Sequence, residues 1–454
     1  MKLLIYSYFP LLSRHQAGGA QLMLRALIER FKEKEVSATV ICPETDQQLL
    51  DLPNIKVLPV LKEKGKKPLT FQERLHNNNM ILEQLCDVDA VWTIDETFPI
   101  RTSKPIILTL QTIAYEEELT SLFGWNWDCL IVASDYLYKL TSTFLDTVDL
   151  KGEFPELRKI VNGIDTGIFI PTLSNVDLKK SLGIPQGRYI LFPHRPEPEK
   201  GFELALMALR ELVNIDNTYR LLIPTHPLSA KYCVEDEKLF QDHLRCRIAA
   251  LNLKDNVVFH TWVDYENLPA YYSLGEWCWN LSVLPEGFGL APVQSVACGT
   301  PVISTRSGAL RLLFPEAHGV KYINPGNIQE IVTAVLTTDF SYEEIYKGQR
   351  YIREHYSLEN CAEQYISAFK NTHKKRDWFV QPPKPTGRFE ISPWCYIVDK
   401  SYAWHDLKMK TILLSDDEYL VLRNLNMKDK SLDEETYNSI VLRLQELGLI
   451  VESM

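Results

Sequence analysis

The 454-residue chain has no apolar run near the roughly eighteen residues that a membrane-spanning helix needs, so no spanning segment is expected. Its nine cysteines, an odd number, include no C-x-x-C pair, which disfavours an exported disulfide scaffold and favours a reducing, cytoplasmic setting. An excess of positive charge is also missing. The formal net charge is -10, whereas general nucleic-acid binding needs a basic surface. The ten histidines form neither H-E-x-x-H nor H-x-H, so no dedicated metal site is expected. A G-K-[ST] phosphate loop, a G-x-S-x-G elbow and a G-x-G-x-x-G fingerprint are likewise lacking. Two basic clusters stand out against this background: Lys62, Lys64, Lys66 and Lys67, then Lys374, Lys375 and Arg376. Each reads as a solvated loop or as a contact for an anionic lipid, which leaves room for peripheral membrane association.

What is present is an alternation of short apolar runs with amphipathic ones. Leu3 to Tyr8, Ala38 to Cys42, Ile55 to Leu58, Ala90 to Ile94, Ile106 to Leu110 and Cys129 to Ala133 read as strands, with helices between them. After a looser stretch holding Pro171 and Pro185 the pattern restarts. Its strands are Tyr189 to Phe192, Arg220 to Ile223, Val257 to Phe259, Leu281 to Leu284, Val302 to Thr305 and Val320 to Ile323. The fold class is therefore α/β: two doubly wound parallel sheets, at 1–170 and 185–340, with strand-end crevices facing each other. Beyond a proline-rich break at 382–385, residues 387–454 hold two helical faces, Tyr419/Leu422/Leu425 and Tyr437/Ile440/Val441/Leu444, with Gly448 placed to end the second. They predict a small α+β domain, weakly similar to winged-helix modules. The acids at its helix starts suit a peptide or protein dock better than DNA.

Two segments carry chemistry. In Glu286-Gly287-Phe288-Gly289-Leu290 the glycines permit a tight turn into a helix whose free amides can hold a diphosphate. A carboxylate beside a phosphate site is unfavourable unless it is needed, and Glu286 suits sugar hydroxyls. In His194-Arg195-Pro196-Glu197-Pro198-Glu199-Lys200-Gly201, Arg195 offers a guanidinium fork and Lys200 a mobile charge. Fixed cations there would favour departure of a diphosphate. The plainer readings are a tight turn and a solvated charged turn. Gly18-Gly19 permits close backbone approach, and Asn162-Gly163-Ile164-Asp165 reads as a structural corner at a hinge. His15, His226 and His260 fall near the expected crevice, although loop histidines satisfied by neighbours are commoner.

Taken in order, these segments resemble the retaining glycosyltransferases of family 4, with the GT-B fold, over about residues 1–372. The series includes Gly18-Gly19, Ser134, Asn162-Gly163-Ile164-Asp165, Arg195…Lys200-Gly201, Glu286 to Leu290, Ala297-Cys298-Gly299-Thr300-Pro301 and Asn324-Pro325-Gly326. The resemblance implies crossover helices at 341–372 that return to the first domain. It implies Arg195 and Lys200 on the donor diphosphate, Glu286 on donor-sugar hydroxyls, and the Phe288–Leu290 amides on sugar or phosphate. Three positions depart from the family pattern. Gln294 stands where the second acid of E-x7-E meets ribose, Gln111 where a histidine lies near the reacting sugar, and Arg311 where a Gly-Gly-x-x-Glu loop has its acid.

The implied activity is transfer of a sugar, with retention, from a nucleotide-diphosphate sugar carrying UDP or GDP. The acceptor is a glycan, lipid, small molecule or peptide, with no tightly bound cofactor and no essential divalent ion. Two alternatives stay open: a GT-B phosphorylase or epimerase, and a non-catalytic nucleotide-sugar-binding or scaffold protein that lost turnover through the three departures.

Overall fold

The computed structural model describes all residues except 13–17, 32–34, 64–68, 96–101, 114–115, 124–126, 148–155, 174–175, 226–233, 375–387, 426–431 and 454. Seven parallel strands form the first sheet: β1 (Lys2–Tyr6), β2 (Ser37–Cys42), β3 (Ile55–Pro59), β4 (Ala90–Ile94), β5 (Ile106–Leu110), β6 (Cys129–Val132) and β7 (Glu156–Lys159), in the order β3-β2-β1-β4-β5-β6-β7. Six more form the second: β8 (Arg188–Leu191), β9 (Tyr219–Thr225), β10 (Val257–Thr261), β11 (Trp277–Asn280), β12 (Val302–Thr305) and β13 (Val320–Ile323), ordered β10-β9-β8-β11-β12-β13. Both sheets reverse direction of growth beside their first strand, between β1 and β4 and between β8 and β11. Crevices for ligands open at such points.

The central strands Ile106–Leu110 and Cys129–Val132 are buried throughout, as strands covered on both faces must be. The edge strand Glu156–Lys159 is polar and half exposed, which explains why no apolar run announces it. One expected strand is displaced. The ladder runs through Trp277–Asn280, while residues 281–284 leave the sheet because Val283 and Leu284 donate their amides to the Glu199 carbonyl (2.9 and 3.3 Å).

Three capped helices follow β13. Ser341 caps Tyr342–His355 in a reciprocal box with Glu344, and Ser357 caps Leu358–Asn371. The latter helix lies on the first sheet, where Tyr365 and Phe369 meet Trp92 at 5.3 and 5.1 Å between ring centroids and Phe369 meets Phe31 at 5.9 Å. Its entry is fixed by the corner at Asn162-Gly163-Ile164-Asp165. Ile164 exchanges backbone hydrogen bonds with Tyr356 and Leu358 (2.8 and 3.0 Å), and Asp165 pairs with Arg30. A Cβ on Gly163 would lie 2.6 Å from the Ser357 and Leu358 backbone.

The C-terminal region contains more sheet than its sequence pattern suggests. β14 (Arg388–Ile391) pairs antiparallel with β18 (Ile450–Ser453). β15 (Cys395–Ile397), β16 (Tyr402–His405) and β17 (Lys410–Leu413) form an antiparallel meander. Helices Asp416–Arg423 and Glu434–Glu446 complete it, and Gly448, left-handed at φ 76°, follows the second as expected. One continuous apolar cluster joins Leu110 and Leu137 of the first sheet's layers, Phe288 and Leu310 of the second's, and Trp394, Val421 and Leu444 of the C-terminal unit. Of the two basic clusters, Lys374 pairs with buried Asp128 at 3.1 Å, whereas Lys64, Lys66, Lys67, Lys375 and Arg376 fall outside the described residues.

Replacing Gly163 with alanine forces rigid backbone to move and is expected to cost about 1–3 kcal/mol, seen as a lower urea midpoint with an unchanged m-value.

Candidate active site

The loop after β8 and the loop after β11 meet at the reversal point of the second sheet. Glu199, in a short 3-10 turn Pro198–Lys200, accepts at its carbonyl from the Val283 and Leu284 amides and from the Ser282 hydroxyl (3.2 Å). Gly201 then turns left-handed (φ 77°) so close to this strand end that a Cβ would sit 2.1 Å from the Leu281 carbonyl oxygen. The result places Lys200 Nζ 2.7 Å from Glu286 Oε1, each side chain about one-fifth exposed. Burial pushes the Glu286 carboxyl up, but the Lys200 ammonium and its hydrogen bond, with His194 and Ser282, outweigh burial and the net direction is down.

Beyond Glu286 the chain turns through Gly287-Phe288-Gly289 into the helix Leu290–Ala297. Gly289 (φ 117°) stands at its N-cap and supplies no side-chain cap, so the first-turn amides are left to other acceptors. Phe288 is buried, edge-on to Tyr356 at 5.4 Å. Gly287 presses on the first domain. A Cβ there would lie 1.8 Å from the Gln111 carbonyl oxygen, and the Ser134 hydroxyl donates to the Gly287 carbonyl at 2.6 Å. Gly18 and Gly19 open the helix Gly19–Phe31, and Gly19 faces Leu290 across the crevice, 3.4 Å from where its Cβ would be.

Several nominated residues are thus brought together: Gly19, Lys200, Glu286, Gly287, Phe288, Gly289 and Leu290. Arg195 sits apart in this state, half exposed and paired with Glu197 at 3.2 Å. Gln111 and Asn162 exchange side-chain amide hydrogen bonds (3.3 and 2.5 Å), so the Gln111 amide is held by the hinge corner. Gln294 is buried and accepts from the Tyr272 hydroxyl at 3.1 Å. Arg311 bonds Asp406 of the C-terminal unit at 2.9 Å. His260 is a structural histidine, tied to Thr261 and Tyr271 (2.8 and 3.1 Å), while His15 and His226 lie outside the described residues. Among the described residues no group of three or more His, Cys, Asp or Glu side chains is arranged to hold a metal ion.

Two residues escaped sequence reasoning. His194 follows β8 with its ring edge-on to Phe192 at 5.4 Å, and its Nε2 is buried with no hydrogen-bond partner. Burial and then Lys200 hold its imidazole down to about 4, against the pull of Glu286, so it is neutral at pH 7. Asp95, just after β4, adopts a left-handed φ of 62° and accepts from the Gln111 backbone N–H at 2.7 Å. The histidine's place one residue before Arg195 was the available signal. Nothing in the sequence marked Asp95.

Two doubly wound sheets whose strand-end loops face each other, with the cation–carboxylate pair and an uncapped helix start at the second sheet's reversal point, define the GT-B class of fold. Within it, residues 175–338 match the family model described as Glycosyl transferases group 1. D-inositol 3-phosphate glycosyltransferase of Acidothermus cellulolyticus is 32% identical over 193 residues, 40% of this chain and 40% of that protein. The lipopolysaccharide core biosynthesis mannosyltransferase LpsB of Rhizobium meliloti is 29% identical over 154 residues, 33% of this chain and 40% of its own. The chain thus spans less than half the length of either relative. Among solved structures, Anabaena HepE in complex with UDP and glucose superposes with a TM-score of 0.62 at 17% identity, covering 82% of this chain and 99% of that one. That likeness speaks to the fold.

Neutral His194 and ionised Glu286 both make the folded state intolerant of acid. The unfolded histidine takes a proton below about 6.5, and the folded one only near 4, so His194's contribution is whole above 6.5 and is lost as pH falls between them. The melting temperature is expected to fall from pH 7 to 5, and to fall less in His194→Gln. Equal falls in both proteins would assign the effect to other groups.

Proposed function

We propose that the chain is a retaining glycosyltransferase that takes a sugar from a nucleotide-diphosphate sugar. The observation that carries this reading is the meeting of Lys200 and Glu286 beside the uncapped start of the helix Leu290–Ala297. A leaving diphosphate gathers negative charge. Lys200 and the amides of the first helical turn offer preorganised positive charge to it, which favours the transition state more than the ground state. Arg195 joins by leaving Glu197, a half-exposed pair of the kind worth about 0–1 kcal/mol. Glu286 then orients donor-sugar hydroxyls as their acceptor, its own charge balanced by Lys200.

The relatives support the class: an inositol phosphate glycosyltransferase and a mannosyltransferase, with a structural neighbour bound to UDP and glucose. UDP and GDP are the nucleotides to try first. The acceptor, whether glycan, lipid, small molecule or peptide, would approach from the first-domain side near Gly18-Gly19. Retention would proceed on one face of the donor carbon, the departing phosphate oxygen taking the acceptor proton. We further take the enzyme to be cytoplasmic, without a tightly held cofactor or an essential divalent ion. No helix among the described residues is long and apolar enough to cross a membrane.

Incubation with UDP- and GDP-sugars, following nucleotide release with and without candidate acceptors, tests the proposal. Lys200→Ala is expected to lower turnover about 100- to 1,000-fold, and Lys200→Ala with Arg195→Ala to remove detectable donor binding. Undiminished donor binding in the double variant, or an absolute need for inorganic phosphate as cosubstrate, overturns the reading.

A further inference from the structure

Arg311 stands where the family resemblance leads one to expect an acid, and its surroundings give it a different task. It lies in the 3-10 turn Gly308–Leu312 that follows β12. Its Nη1 bonds Asp406 Oδ2 at 2.9 Å, its Nη2 donates to the Pro393 carbonyl at 2.8 Å, and its guanidinium lies 5.3 Å from the ring centroids of both Tyr136 and Tyr396. Asp406 is fully buried, and its other oxygen accepts from the Trp404 indole at 3.0 Å. Both charges are therefore committed. A buried pair with its remaining valences satisfied fixes geometry, and loss of either partner leaves a buried charge unpaired.

The same turn is wedged against the donor loop on its other side. The Ala309 amide donates to the Glu286 carbonyl at 2.8 Å. Gly308 (φ 58°) comes so near that a Cβ would lie 2.5 Å from the Glu286 carbonyl oxygen and 2.6 Å from its nitrogen. Leu310 and Leu313 stand 2.7 and 3.0 Å from where a Gly289 Cβ would be. A continuous line of contact thus runs from Asp406 through Arg311 and residues 308–310 to Glu286 and Gly289.

We propose that Asp406, in the C-terminal unit, is a positioning residue for the donor site: by holding Arg311 it sets the 308–312 turn, and that turn sets Glu286 and Gly289. The claim rests on the donor-site reading above. On this account the C-terminal unit is a working part of the sugar-nucleotide site, whatever else it binds.

The test uses the full chain, with UDP and GDP as binding probes. Asp406→Asn keeps the shape and removes the charge. It is expected to weaken binding of whichever nucleotide the wild type prefers, and to raise donor KM, by about ten- to a hundredfold, with acceptor KM unchanged and the protein folded at the assay temperature. Tyr396→Phe serves as a control, since it deletes the Tyr396–Asn324 hydrogen bond (3.3 Å) across the same junction but keeps the ring on Arg311. Its nucleotide affinity should match wild type. If Asp406→Asn does not fold, Arg311→Lys, which keeps the charge and loses the fork, should show the same donor-side loss. Wild-type affinity in a folded Asp406→Asn or Arg311→Lys protein overturns the proposal, as does an equal loss in Tyr396→Phe. A wild type that binds neither nucleotide overturns the donor-site reading itself.

Discussion

The Glu199 carbonyl is the joint on which the candidate site turns. By collecting two amides and a hydroxyl from residues 282–284, it draws the chain beyond β11 out of the sheet and onto the loop after β8. Lys200 is the next residue and Glu286 lies two beyond the last captured amide, so their encounter follows from backbone hydrogen bonding. The attraction of opposite charges then acts over a distance already closed. Gly201 is required because a side chain at that place would collide with the Leu281 carbonyl.

Around that joint the two sheets are not independent. Gly287 touches the Gln111 backbone, Ser134 bonds the Gly287 carbonyl, and Gly19 faces Leu290. The hinge corner at residues 162–165 gathers Gln111, Arg30 and the start of the crossover helix in one place. A single apolar cluster runs through all three parts of the chain, so burial in each part depends on the others.

Much of this could be read from residue order. Central strands such as Ile106–Leu110 declare themselves because a strand covered on both faces must be apolar throughout. The edge strand Glu156–Lys159 carries no such mark, and the short strands β14 to β17 have too few residues to establish a period. The extent of β11 is not legible because Trp277 to Leu284 is largely apolar, broken only by Asn280 and Ser282, and the Glu199 contacts decide where the ladder stops. The Lys200–Glu286 pairing was within reach because both belong to motifs at strand ends. The partners of Gln111, Gln294 and Arg311 were not, since each is fixed by a residue far away in sequence: Asn162, Tyr272 and Asp406. By sequence all three are marks of altered chemistry, and all three carry a tertiary contact.

The hydrogen bond from Ser134 to the Gly287 carbonyl crosses from one half of the molecule to the other. The Gly287–Gly289 turn belongs to one half of the molecule and is fastened to the other through a hydroxyl on the opposite bank. Parting the halves frees that carbonyl, which must find water, and rejoining them must shed the water again. Separating the halves would therefore break this bond in addition to the apolar seam, and closing them again would carry the cost of desolvating this carbonyl and hydroxyl.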